Sequence, residues 1–368
     1  MIPYGHQMID KKDIAAITKV INSDYLTQGP EIEKFEKQLA EYCNAKYVVA
    51  VSNGTSALHL AYLVAGIKDG DEVITTPNTF VATTNMLLLL NARPVFVDIR
   101  LDTYNLDETK IEEKITKKTK AIVPVHFSGH PCEMDKILSI AKKNNLIVIE
   151  DAAHALGAKY KNKKIGSLKS DMTVFSFHPV KSITTGEGGA IVTNNKSYYN
   201  QLKLLRSHGV VKDQDGNNVM KQLGFNYRIT DIQAALGVSQ LKKLDRFIKK
   251  RRIIVEWYQK SLSSLNNIIL TQENKQCFSS YHLMIIRTKN KSDRNKLKKY
   301  LAKKGVGVNF HYPAVYKHPY YQKIGFNKIN LKNMQKYHDT TITIPLFPGL
   351  NKQQVEFISG CIKNYYNK

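Results

Sequence analysis

Arginine is scarce in a chain that is otherwise strongly basic: nine residues of 368, against 46 lysines, at a net charge of +24. Guanidinium is the group best shaped for bidentate phosphate recognition. Its scarcity, with basic residues spread along the whole chain, argues against a nucleic-acid binder. The densest basic run, KKRR at Lys249 to Arg252, lies in a stretch that reads as one long helix near 230–260 and is expected to form its solvated face. Cysteine is also sparse: Cys43, Cys132, Cys277 and Cys361 are far apart with no CxxC pair. That excludes a disulfide framework and points to reduced thiols in a cytoplasmic protein. Long apolar runs are missing, since MLLLL at 86–90 is too short to span a bilayer. The opening MIPYGHQMIDKKD lacks the apolar core of a signal peptide. No repeat or low-complexity tract interrupts the chain, and a basic surface of this kind suits an anionic small substrate.

What is present is alternation. EIEKFEKQLAEYC places Ile32, Phe35 and Leu39 on one helical face behind Pro30, a residue tolerated at a helix start. YVVAVSNGTSALHLAYLVAG then reads as strand, tight turn and helix. DEVITT, a helix TFVATTNMLLLL, PVFVDI, AIVPVHF, a helix EMDKILSIAKKNN, LIVIED, MTVFSF and AIVTN continue the pattern. Short aliphatic strands without polar alternation are buried on both faces, and interleaved helices imply parallel crossovers. The expectation is an α/β fold, a mainly parallel sheet flanked by helices, over residues 1–245. Residues 246–368, with shorter strands such as YHLMIIR and GVGVNFHY, are expected to form a smaller α+β domain. The polar, Gly/Asn-rich segment 208–224 reads as a mobile loop.

In open parallel sheets, ligands bind beyond the carboxyl ends of the strands, and three clusters fall there. SNGTSA, Ser52 to Ala57, would expose backbone N–H groups at a helix N-terminus, where a phosphate can sit, or simply make a tight turn. Asp151 directly follows an apolar strand and could either cap the next turn or hold a protonated ring nitrogen. Lys181, in FSFHPVKSITTGEGG, is one lysine of many, unless its surroundings lower its pKa enough to make it a nucleophile. His126 and His130 straddle Ser-Gly without sharing a helix face, and His154 and His178 are isolated, so no metal site is expected. Together, the phosphate cradle, the aspartate and the lysine are the parts that pyridoxal 5′-phosphate needs, and Phe80 could supply an aromatic face for its ring.

SNGTSALHLA, TTPNTFVATTN, EDAAHALGA, FSFHPVKSITTGEGGA, GFNYRITDIQAALG and NFHYPAVYKHPYY run in order over essentially the whole chain. In these motifs the sequence resembles the DegT/DnrJ/EryC1/StrS sugar aminotransferases of fold-type I. The resemblance implies that Lys181 binds the cofactor aldehyde, Asp151 partners the pyridine nitrogen and Phe80 stacks on the ring. It further places His154 near the phenolic oxygen, and Gly54, Thr55 and Ser176 on the phosphate. Asn226 would reach the phosphate of a neighbouring subunit, which implies a homodimer with shared active sites, and Arg228 would contact the donor's carboxylate. Relatives that carry histidine in place of the lysine are dehydratases; this chain keeps the lysine. The motifs are most similar to the pseudaminic-acid branch, which implies transfer from L-glutamate to C4 of a UDP-linked 4-keto-6-deoxy-N-acetylhexosamine. Other branches share much of this vocabulary, so C3 amination or a 4-amino-arabinose-type substrate stays open. A regulator without catalysis is disfavoured by the intact lysine, aspartate and phosphate loop. Tyr4, Thr27, Gln28, Gly29, His208, His311 and Tyr312 are the expected readers of the sugar and uridine; His178 has no assigned role.

Overall fold

The computed structural model describes residues 1–367. Seven strands form the central sheet: β1 (Tyr47–Val51), β2 (Glu72–Thr75), β3 (Arg93–Phe96), β4 (Thr119–Val123), β5 (Ile147–Asp151), β6 (Met172–Ser176) and β7 (Gly189–Thr193), in the order β1-β7-β6-β5-β4-β2-β3. Pairing is parallel from β3 through β6. The exception is β7, antiparallel to both β6 and β1. No helix intervenes between β6 and β7, so the chain returns directly beside the strand it has left, as antiparallel strands permit. Both faces of the sheet are buried, one against Phe35, Leu39 and Ile137 and the other against Leu60, Tyr62 and Leu202. Strands such as YVVAV in β1 and GAIVT in β7 are accordingly apolar on both faces rather than alternating.

The helices form where their ends are capped. Asn53 accepts the N–H of Ser56 at 2.8 Å to open the helix Gly54–Val64, and Thr230 caps Asp231–Leu241 through Gln233. The expected long helix near 230–260 is two, Asp231–Leu241 and Leu244–Leu262. At the break, Lys243 pairs with Asp10 at 3.0 Å and with buried Asp13. KKRR is only in part a solvated face, with Lys249 exposed. Arg251 is buried and donates to the carbonyls of His282 (3.1 Å) and Leu346 (3.0 Å), while Arg252 pairs with Glu273 at 2.7 Å.

The mobile loop expected at 208–224 contains a hairpin, β8 (Val210–Lys212) against β9 (Asn218–Met220); the Asp213 side chain closes its turn by accepting the N–H groups of Asp215 and Asn217. A second sheet comprises β10 (Ile268–Leu270), β11 (Met284–Thr288) and β12 (Thr341–Ile344), ordered β10-β11-β12 and antiparallel. GVGVNFHY, expected as a strand, makes only isolated bridges, Val306 to Ile2 and Asn309 to Thr343. The first residues of the chain thus pair with this C-terminal region: Ile2 N–H donates to Gly305 and Leu346 N–H to the Tyr4 carbonyl. Among the described residues, no helix is long and apolar enough to cross a membrane.

Candidate active site

A cavity of about 700 Å³ opens beyond the carboxyl ends of β1, β5 and β6. Its wall includes Gly54, Thr55, Phe80, Asp151, His154, Ser176, Lys181, Tyr4, His311 and Tyr312. The sequence scatters these over more than 300 positions; the strand order gathers them.

At β1 the helix Gly54–Val64 begins with its free N–H groups at the cavity. Two glycines leave little room for a side chain. A Cβ on Gly54 would lie 3.0 Å from the Ser176 Cβ, and one on Gly189 would lie 2.5 Å from the Asn53 carbonyl. The helix end and the Ser176 hydroxyl therefore approach closely enough to make an anion cradle.

Asp151 ends β5 and is buried. Its Oδ1 accepts the Ala153 N–H at 3.1 Å and its Oδ2 the Thr83 hydroxyl at 2.7 Å. Lys181 lies in the loop after β6, its backbone N–H donating to His178 at 2.9 Å. Desolvation pulls its amine down to about 8, against the opposing charge of Asp151. Relative to 10.5, that raises the neutral fraction at neutral pH by a few hundredfold, roughly. Phe80 is 57% exposed and turns its ring to the cavity, 6.0 Å from the Tyr312 ring.

Opposite Lys181 stand three neutral imidazoles. His154 Nδ1 accepts the Ser128 N–H at 3.3 Å and its Nε2 lies 3.2 Å from the Tyr312 hydroxyl. The His282 ring packs on His154 with centroids 4.2 Å apart. Burial, then the charge of Lys181, holds the His154 pKa well below its usual value. His282 is likewise lowered, first by burial and then by its neighbour His154. His311 bonds Thr343 at 2.9 Å and is pushed down to about 4 by burial, with Lys181 adding to the effect.

The remaining expected residues stand elsewhere in this chain. Gln28, Gly29 and Arg228 line a second cavity of about 710 Å³ with Glu36 and Arg206. Thr27 bridges Thr230, Asn226 bridges Ser207, and His208 donates its N–H to Phe225; these three line neither cavity. His178 is exposed, at the mouth of the first cavity. Sequence reasoning missed Thr79, Thr83 and His282. The four-residue spacing of Thr79 and Thr83 at a helix start was a usable signal; His282, a lone histidine ahead of a strand, offered none.

The DegT/DnrJ/EryC1/StrS aminotransferase family matches residues 7–363. The UDP-4-amino-4,6-dideoxy-N-acetyl-beta-L-altrosamine transaminase of Campylobacter jejuni is 40% identical, covering 100% of this chain and 98% of its own. Among solved structures, Helicobacter pylori PseC, an aminotransferase involved in the biosynthesis of pseudoaminic acid, superposes with a TM-score of 0.95 at 35% identity, over 100% of this chain and 99% of the other. The PLP form of the putative sugar aminotransferase Spr1654 from Streptococcus pneumoniae also gives 0.95, at 29% identity, covering 100% and 98%.

Proposed function

This chain belongs to the DegT/DnrJ/EryC1/StrS aminotransferase family, and we propose that it transfers the amino group of L-glutamate to C4 of a UDP-linked 4-keto-6-deoxy-N-acetylhexosamine, a step of pseudaminic acid biosynthesis. It is a sugar aminotransferase of fold-type I and uses pyridoxal 5′-phosphate. When bound, the cofactor supplies a ring that withdraws electrons from the carbon losing or gaining a proton.

The residues fit that group. The cradle at Gly54 would be filled by a single Cβ. Each Asp151 oxygen receives one donor, leaving lone pairs for a ring N–H. Phe80, an exposed phenylalanine in the cavity wall, offers a flat apolar face. Gly54, Thr55 and Ser176 would hold the phosphate, Asp151 the ring nitrogen and Phe80 the ring face. His154 would stand near the phenolic oxygen.

Lys181 carries the reading, because its desolvated amine lies in the same cavity as Asp151 and the cradle. In this reading it holds the cofactor at rest and, once displaced by the donor, moves the proton between the glutamate α-carbon and C4′. Tyr4, His311 and Tyr312 border the space left for the sugar.

Thr27, Gln28, Gly29, His208, Asn226 and Arg228, which stand apart from this cavity, are assigned to the site of a neighbouring subunit in a homodimer. Asn226 would reach the phosphate there and Arg228 the donor carboxylate. Residues 1–245 would form the cofactor-binding domain and 246–368 the smaller one.

The substrate is tested with a panel of nucleotide keto sugars and glutamate, analysing each product for the aminated carbon. The reading requires the UDP-linked 4-keto-6-deoxy-N-acetylhexosamine to give the highest kcat/KM, with the amine at C4. A preferred 3-keto or 4-keto-arabinose substrate would replace it.

A further inference from the structure

Two hydroxyls lie end to end beside Asp151, in the wall of the cavity. Thr83 Oγ1 is 2.7 Å from Asp151 Oδ2, and Thr79 Oγ1 is 2.7 Å from Thr83 Oγ1. Both threonines are buried. A hydroxyl has one proton to give, and an ionised carboxylate only accepts. The alternative acceptor for Thr83, the Phe80 carbonyl, is farther away at 3.2 Å. A short bond to a charged group outweighs a longer one to a neutral carbonyl. The Thr83 proton is therefore committed to Asp151, and Thr79 is the donor to Thr83.

We propose that Thr83 is a positioning residue for the carboxylate that partners the ring nitrogen, with Thr79 next in line. The proposal rests on the reading of Asp151 as the partner of the pyridine nitrogen. Asp151 has two anchors, the Ala153 N–H on one oxygen and the Thr83 hydroxyl on the other. The first is fixed by the backbone of Asp151's own turn. The second comes from a different element and alone ties the carboxylate to the turn that carries Phe80. Thr79, Phe80 and Thr83 belong to that single turn at the start of the helix Ala82–Leu89. Buried Tyr62 donates its hydroxyl to the Thr83 carbonyl at 2.9 Å, so the anchor is held from behind. The relay therefore sets two cofactor contacts relative to each other: the carboxylate at the ring edge and the aromatic side chain at the ring face.

Thr83→Val removes the donor and keeps the branched shape; Thr83→Ser keeps the donor. Both, with Thr79→Val and Asp151→Asn, are reconstituted with pyridoxal phosphate labelled with 15N at the ring. Three things are read: the ring nitrogen resonance, the cofactor Kd by equilibrium dialysis, and the single-turnover rates with glutamate and with keto sugar. For Thr83→Val the resonance moves toward the unprotonated position and Kd rises about tenfold or more, the scale of a lost hydrogen bond to a charged group. Both half-reactions slow by a similar factor, because both draw electrons to the ring; a substrate contact would slow one. Thr79→Val shifts the same quantities less, and Thr83→Ser stays within about threefold of the parent. The relay is overturned if Asp151→Asn moves the resonance while Thr83→Val leaves resonance and Kd unchanged, or if Thr83→Ser is as impaired as Thr83→Val. If Asp151→Asn itself leaves the resonance in place, the assignment of Asp151 fails and takes the relay with it. The resonance and the cofactor Kd need no sugar, so they stand apart from the substrate assignment.

Discussion

Ser128 donates its backbone N–H to Nδ1 of His154 across 3.3 Å. A backbone amide can only donate, so this ring nitrogen is the acceptor and a neutral His154 carries its proton on Nε2. That proton faces the Tyr312 oxygen at 3.2 Å, leaving the Tyr312 hydroxyl proton for another acceptor. Nitrogen-15 spectra of the imidazoles are expected to show His154 as the Nε2–H tautomer through the neutral range.

The same three imidazoles set an acid limit on stability. His154, His282 and His311 all have folded pKa values below the ordinary 6.5, each chiefly through burial. Below 6.5 the unfolded chain binds protons that the folded chain refuses, so stability falls as pH drops. For His311 the loss runs from about 6.5 to about 4. Melts of the apoprotein between pH 7.5 and 4.5 are expected to show a falling Tm, and His311→Asn should flatten the slope.

Cofactor capture by the apoenzyme is expected to follow the amine of Lys181. With a pKa of about 8, the rate of the absorbance change on adding pyridoxal phosphate should level off above about pH 8. It should fall tenfold per unit well below it. An ordinary lysine would keep gaining rate past pH 10. Lys181→Ala should abolish turnover, losing about 10⁴-fold or more.

Crowding at the cradle predicts graded defects. Gly54→Ala places a methyl 3.0 Å from the Ser176 Cβ, which can yield by a few tenths of an ångström. Its cofactor Kd should rise about tenfold with Tm nearly unchanged. Gly189→Ala meets the Asn53 backbone at 2.5 Å and should instead cost about 1–3 kcal/mol of stability, read by denaturant unfolding.

Mixing two inactive proteins tests the shared site. If Asn226 serves the neighbouring subunit, a mixed dimer of Lys181→Ala and Asn226→Ala chains has one intact site. Reassembly should then recover roughly a quarter of parental activity. No recovery from two impaired parents would remove Asn226 from the partner's site.

The α/β fold was legible because short, largely apolar runs such as YVVAV and IVIED are each followed by a tight turn or a helix start. The antiparallel course of β7 was not, since direction within a sheet depends on the connection and not on strand composition. Arg251 misled for a related reason: four basic residues in a row look solvated, yet successive helical positions point in different directions, and one faces inward to backbone carbonyls. In the site, Lys181, Asp151 and the Gly54 turn were readable because each follows a strand at the ligand edge. His282 was not singled out, as its place beside His154 is set only by tertiary packing, and the Thr79–Thr83 pair, though local, gains meaning only from its contact with distant Asp151.

The antiparallel return from β6 to β7 also determines how Lys181 can move. The loop that carries Lys181 is sewn to itself: Phe177 and Gly188 bond across its base at 2.8 Å, Thr185 N–H returns to Phe177 at 3.0 Å, and the Thr184 hydroxyl does so at 3.1 Å. Gln233 holds it from outside through the Glu187 carbonyl at 2.9 Å. A segment fastened at both feet and along its span does not swing as a flap. The travel of the amine is thus left to the torsions of its own four-carbon arm. The Lys181 side chain is a short jointed lever on a fixed mount.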